Sequence, residues 1–119
     1  MKNALVIDDS RVTADTLVRI LNALGCLARA AYGSSAGMSI LREETPDLVF
    51  LDINMPGVSG FEILRFMSRE PRLAGVPVFI VSSEEQPETR EQALREGARA
   101  FLTKPVTVDV IDEALRGLR

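Results

Sequence analysis

Histidine is absent from the 119 residues. That absence removes Ser-His and Cys-His catalytic pairs, histidine metal sites and any phosphohistidine carried on this chain. Cysteine is nearly absent too: the single one, Cys26, lies in an apolar context, where a thiol is usually a small core side chain rather than a nucleophile. No apolar run approaches the roughly 18 residues of a membrane span, and Met1-Lys2 is followed by only a short apolar stretch before Asp8-Asp9. Neither a spanning helix nor a signal peptide is therefore expected, and a cytoplasmic location is. Lysines and arginines are scattered among acids at a net charge of −3, which leaves no basic stripe for nucleic acid or an anionic membrane. The partners expected are proteins or small molecules, and the chemistry left to the chain uses carboxylates, hydroxyls and lysine.

What is present is organised around Asp47 to Gly60, DLVFLDINMPGVSG. Five of the six residues from Leu48 to Ile53 are apolar, as a strand buried on both faces of a parallel sheet requires. Asp52 is the exception, placed at the carboxyl end of that strand, where open α/β sheets bind ligands. Met55-Pro56-Gly57 stops the strand. Ser59-Gly60 then leads into Phe61, Leu64 and Met67 at helical spacing, predicting a helix to about Arg69.

The rest of the chain repeats this alternation. Asn3 to Ile7 reads as a strand ending at Asp8-Asp9. Ser10 is a plausible N-cap for a helix from Arg11 to Leu24 whose inner face is Leu17, Ile20, Leu21 and Leu24, closed by Gly25. Cys26 to Ala31 reads as a more polar edge strand. A helix from Gly33-Ser34-Ser35 to near Glu44 is expected to turn Ala36, Ile40 and Leu41 inward. After the loop Pro71 to Gly75 comes a strand over Val76 to Val81. A polar loop from Glu84 to Pro87 leads into a helix up to Glu96 with a thin apolar face, Ala93 and Leu94, which predicts loose docking. Gly97, a fifth strand over Arg99 to Leu102, Thr103-Lys104-Pro105 and a last helix from Val108 to Leu118 complete the order; Val108, Ile111, Leu115 and Leu118 are expected inward. Strand and helix thus alternate five times within one domain spanning 1–119, with no repeat or linker. That order predicts a parallel sheet with right-handed crossovers and helices on both faces.

Strands of a parallel sheet all point one way, so Asp8-Asp9, Asp52, Ser82-Ser83 and Lys104 gather at one edge. Three carboxylates together raise at least one pKa unless a cation is present. Oxygen donors alone point to a hard cation, and a solvent-open site with few protein ligands suits Mg²⁺, which favours a phosphate co-ligand. Three negative charges, Lys104 and a divalent ion sum to zero, so adding a phosphoryl group is electrostatically feasible. Each residue also has a plainer explanation: Asp8 and Asp9 as helix caps, Asp52 as an Asx turn, Ser82 and Ser83 as loop residues, Lys104 as a solvated strand end.

In combination, Asp8-Asp9, Asp52-Ile53-Asn54-Met55-Pro56 with Gly60, Ser82, and Lys104-Pro105 resemble the receiver domain of two-component response regulators, similar to stand-alone chemotaxis-type regulators, over essentially the whole chain. The resemblance implies a flavodoxin-like (βα)5 fold with strand order 2-1-3-4-5, for which the family supplies a standard example. It also implies that Asp52 accepts a phosphoryl group from a sensor histidine kinase or histidine phosphotransfer protein. Mg²⁺ would be held by Asp8, Asp9, Asp52 and the Asn54 carbonyl, and Ser82 and Lys104 would contact the phosphoryl oxygens. A cis Lys104-Pro105 bond would aim the lysine inward. Output to an effector protein or output domain would follow from movement of the Ser82 hydroxyl and the Phe101 ring, with the thinly packed fourth helix shifting; Phe101 as a plain core aromatic is the alternative. Asn54 and Glu84 occupy the positions that tune phosphoryl loss, and Ser83 stands where a smaller residue is frequent. The resemblance implies no enzyme turning over an external substrate, only the chain's own phosphorylation and dephosphorylation.

Three other functions compete. A Mg²⁺-dependent aspartyl phosphatase would place a carboxylate two residues after its nucleophile, where Asn54 cannot shuttle protons. A flavin protein would need a hydroxyl- or glycine-rich loop after the first strand, where two aspartates stand. A degenerate receiver binding partners without phosphorylation remains the alternative. The chain stops after its last helix without an output module, as either a stand-alone shuttle or an excised domain would.

Overall fold

The computed structural model describes residues 1–83 and 86–118. Five parallel strands, β1 (Asn3–Ile7), β2 (Leu27–Ala31), β3 (Leu48–Asp52), β4 (Val78–Ser82) and β5 (Ala100–Thr103), lie in the order β2-β1-β3-β4-β5. Between and after them run α1 (Arg11–Ala23), α2 (Ser34–Glu43), α3 (Gly60–Arg69), α4 (Pro87–Arg95) and α5 (Val108–Arg116). The doubly wound α/β fold expected from the alternation is the one observed.

Alternation along the strands decides which helix covers which residue. Leu5, Ile7, Val49, Leu51, Val78, Ile80 and Phe101 share one core with Leu41 of α2, Ile63, Leu64 and Met67 of α3 and Ala93 of α4. Ala4, Val6, Leu48, Phe50, Phe79 and Val81 share the other with Ala14, Leu17 and Leu21 of α1 and Ile111 and Leu115 of α5. Phe50 and Phe79 are register partners and stack with ring centroids 5.0 Å apart. Every residue of β3 and β4 is buried, whereas β2 at the edge buries only Ala31. The uninterrupted apolar runs and the more polar edge strand follow from these positions.

Helix ends match their chemistry. The Ser10 hydroxyl accepts the Thr13 N–H at 3.3 Å, Ser59 caps α3 through the Glu62 N–H and Thr107 caps α5 through the Val110 N–H. Gly25, just past α1, has φ +97°, a left-handed conformation that favours glycine.

Several expectations from the sequence need correction. Ala36 is exposed; α2 instead buries Ser34, Gly37 and Leu41, with Ile40 half-buried. The reason is a close approach: a Cβ on Gly37 would stand 2.8 Å from Cδ1 and Cγ2 of Ile7, so only glycine lets α2 settle this near β1. Val108 is exposed because, although it shares the helix face of Ile111 and Leu115, it is the first residue of α5 and stands beyond the end of the core, where Val106 packs instead. Leu94 points outward at 42% exposure, leaving Ala93 as the one buried residue of α4. Ile20, Leu24 and Leu118 are half-buried. β4 begins at Val78 and includes Ser82, since Pro77 has no N–H to donate, and Cys26 lies before β2, buried as expected. α4 is fastened by polar contacts: Arg65 of α3 forms a two-pronged ion pair with Glu96, and Gln92 donates to the same carboxylate at 3.1 Å.

Gly37→Ala is expected to destabilise the fold by about 1–3 kcal/mol through overpacking against Ile7, exceeding the roughly 1 kcal/mol gained in helix propensity. Urea denaturation measures the balance; an unchanged or raised midpoint would mean that Ile7 yields and the close approach is not a constraint.

Candidate functional site

Strand order creates the site. β1 lies between β2 and β3, so the chain leaves β1 in one direction and returns on its other side, opening a crevice at the carboxyl ends of β1 and β3. Ile7 pairs with Leu51, which sets Asp8, the next residue, beside Asp52 at the end of β3. Ser82 ends β4, where it pairs with Thr103, and Lys104 follows directly.

Asp8, Asp9 and Asp52 present carboxylate oxygens within 4.8 Å of one another. Asp8 and Asp52 are 1% and 5% exposed, whereas Asp9 is open to solvent. Lys104 Nζ lies 3.1 Å from Asp8 Oδ2 and 3.7 Å from Asp52 Oδ1. The Lys104-Pro105 peptide is cis, and a hydrogen bond from the Lys104 N–H to the Ser82 carbonyl, 2.8 Å, ties this residue to the end of β4.

Backbone donors hold both buried acids. The Ser10 N–H donates to Asp8 Oδ1 at 2.9 Å and the Asn54 N–H to Asp52 Oδ1 at 3.3 Å. The second contact is the Asx-type bond that the plainer explanation of Asp52 foresaw, so the turn and the site use the same carboxylate. Asp8 is not the cap of α1, a role taken by Ser10. Gly60 closes the crevice from below: a Cβ there would stand 2.3 Å from the Asp52 carbonyl oxygen, so α3 can start directly under the strand end only with glycine.

Burial, then the neighbouring Asp8 charge, push the Asp52 carboxyl up to about 6, against the pull of Lys104 and the Asn54 N–H. Asp8 Oδ2 is buried and receives no directed hydrogen bond from the described residues, although Lys104 lies at ion-pair distance. A buried anionic oxygen without a donor, three clustered carboxylates and an all-oxygen donor set fit a hard divalent cation.

Each residue singled out from the sequence is thus located. Asp8, Asp9, Asp52 and Lys104 converge, Asn54 is exposed just beyond β3, and Ser82 is fully buried at the neighbouring strand end. Ser83 is exposed and Glu84 lies outside the described residues. Phe101 is 6% exposed and packs on the face of the sheet shared with Ile80. Two contributors went unforeseen: Ser34, whose hydroxyl donates to the Pro56 carbonyl at 3.3 Å and ties α2 to the loop after Asp52, and the backbone N–H of Ser10. A serine at a helix start signals a cap and nothing about a distant loop, so no pattern in the sequence marked Ser34.

An open parallel α/β sheet carries an acidic crevice at its switch point, with a lysine reaching in from just past the last strand. The family model for the response regulator receiver domain matches residues 4–116, and the chain belongs to that family. Protein PilH of Pseudomonas aeruginosa is 33% identical over 111 residues, covering 93% of this chain and 92% of that protein. The gliding motility regulatory protein of Myxococcus xanthus is 32% identical over 112 residues, but the match spans only 14% of its length. The crystallised chemotaxis protein CheY4 of Vibrio cholerae superposes with a TM-score of 0.91 over 100% of this chain and 99% of its own at 22% identity, a likeness of fold. No helix among the described residues is long and apolar enough to cross a membrane.

Because the folded-state pKa of Asp52 is raised, the native protein retains a proton that the unfolded chain has released between about pH 4 and 6. Stability falls as pH rises through that window. In EDTA, Asp52→Asn is therefore expected to be more stable than wild type at pH 7, on the order of 2 kcal/mol, with the gain shrinking toward pH 4. Urea midpoints at both pH values give the answer, and a gain independent of pH would count against burial and charge crowding as its cause.

Proposed function

We propose that this receiver domain takes a phosphoryl group onto Asp52 from a phosphohistidine of a sensor kinase or histidine phosphotransfer protein and that the resulting shift controls an effector protein or output domain. The observation that carries the reading is the buried Asp52 carboxylate at the switch point, flanked by Asp8 and approached by Lys104. With a pKa of about 6, it is largely ionised at neutral pH and available as a nucleophile.

One Asp52 carboxylate oxygen forms the new P–O bond while the P–N bond to the donor imidazole breaks, and the departing ring takes its proton from the donor's side or from solvent. Lys104 Nζ lies close enough to pair with a phosphoryl oxygen and follow it as charge spreads in the transition state. Ser82, at the end of the strand beside Asp52, donates its hydroxyl to another. Asp8, Asp9, the Asp52 carboxylate and the Asn54 carbonyl would hold Mg²⁺, which supplies the positive charge that lets an anionic phosphoryl group approach three carboxylates. A groove of about 390 Å³ lined by Val12, Thr13, Thr16, Lys104, Pro105 and Val106 opens beside the lysine and suits a helix of the donor. A larger cavity of about 590 Å³, bordered by Asn3, Leu27 and Glu44, lies at the opposite end of the strands and has no part in the reaction.

The switch uses elements already on one side of the sheet. Phe101 packs with the α2–α4 core, and α4, with Ala93 alone buried, is the helix that moves at least cost.

Intact mass after incubation with acetyl phosphate tests the assignment. The expected result is a gain of one phosphoryl group that requires Mg²⁺, disappears in EDTA, is lost in Asp52→Asn and survives in Asp112→Asn, a change within α5 at a carboxylate paired with Arg116. Label that persists on Asp52→Asn would refute Asp52 as acceptor; no label on wild type together with no beryllofluoride binding would favour a receiver that works without phosphorylation.

A further inference from the structure

Tyr32, one residue past β2, is the chain's only tyrosine and follows the strand that pairs with the one carrying Asp8 and Asp9 at its end. The preceding residue, Ala31, accepts the Asp8 N–H at 3.1 Å, so the ring stands next to the strand end that carries Asp8 and Asp9. Its hydroxyl donates to Asp15 Oδ1 at 2.5 Å, and the Arg11 guanidinium lies over its face, 4.2 Å from the centroid. Arg11 and Asp15 are one helical turn apart on α1, so the helix grips the ring at both its face and its tip.

This grip matters for charge. Arg11 follows the exposed Asp9 by two residues at the start of α1, yet among the described residues it makes no ion pair. A guanidinium on an aromatic face and one on an exposed carboxylate are held about equally well. Removing the ring therefore tips the arginine toward the acids. We propose that Tyr32 is a positioning residue that holds the Arg11 cation off the Asp8–Asp9–Asp52 cluster and so keeps that cluster available to Mg²⁺.

The inference rests on the metal site proposed above. Sequestration of a cation and bracing of a loop make different predictions, because only the first is relieved by removing the charge. Calorimetric titration of the full chain with Mg²⁺ alone separates them. Tyr32→Leu is expected to weaken Mg²⁺ binding about threefold to tenfold, the effect of one extra positive charge near the ion at the edge of solvent. Arg11→Gln in the wild-type background should leave affinity within about twofold, and Tyr32→Leu combined with Arg11→Gln should return to that range. Tyr32→Phe keeps the ring face and loses only the bond to Asp15, so it should show a smaller loss that Arg11→Gln also relieves.

Wild-type affinity in Tyr32→Leu, or a double variant as weak as Tyr32→Leu, would overturn the sequestration of Arg11 while leaving the metal site standing. A wild-type protein that does not bind Mg²⁺ would overturn the metal site, and the role of Tyr32 with it.

Discussion

The mutual repulsion of Asp8, Asp9 and Asp52 is the constraint on which the rest depends. Two of these carboxylates are almost fully buried, and Lys104 is the cation the fold brings against them. One positive charge for three negative ones leaves a deficit. Burial and that deficit together raise the Asp52 pKa, and a divalent cation beside the carboxylates would offset the crowding. The same imbalance stabilises nothing in the free protein. It leaves three carboxylate oxygens within 4.8 Å of one another, an arrangement that could hold a divalent cation.

The scaffold tolerates this because the two cores beneath the crevice are apolar and buried. β3 and β4 are buried along their whole length, and Gly37 and Gly60 let α2 and α3 close against β1 and the end of β3. Rigidity there contrasts with α4, which buries Ala93 and otherwise relies on the Arg65–Glu96 pair. Ion pairs at this level of exposure contribute modestly. The acidic crevice thus sits over closely packed strands, while the helix beyond β4 is held by few buried contacts.

Much of the site was legible because chemistry-bearing residues interrupt apolar runs at strand ends. Asp52 stands out within LVFLDI, the acids Asp8-Asp9 stop NALVI, and Lys104-Pro105 closes the last strand. Burial on both faces erases other signals. Ala36 and Gly37 read alike in a periodic pattern, and only the distance to Ile7 shows why the second faces inward. Leu94 is an apolar residue in the right element but on the wrong side, since a short helix with few apolar positions leaves its rotation about its own axis underdetermined, whereas Val108 is on the inward face but at the helix start, beyond the end of the core.

The sequence by itself determined the alternation of strands and helices, the parallel sheet that follows from it, and the gathering of acids, hydroxyls and a lysine at one edge, because each depends on local period and on the common direction of the strands. Tertiary structure alone decided which acids are buried, that Lys104 reaches both Asp8 and Asp52, and that Arg11 lies on Tyr32 rather than on Asp9. Those outcomes turn on distances between residues far apart in the chain, set by register and packing depth, and no local pattern encodes them.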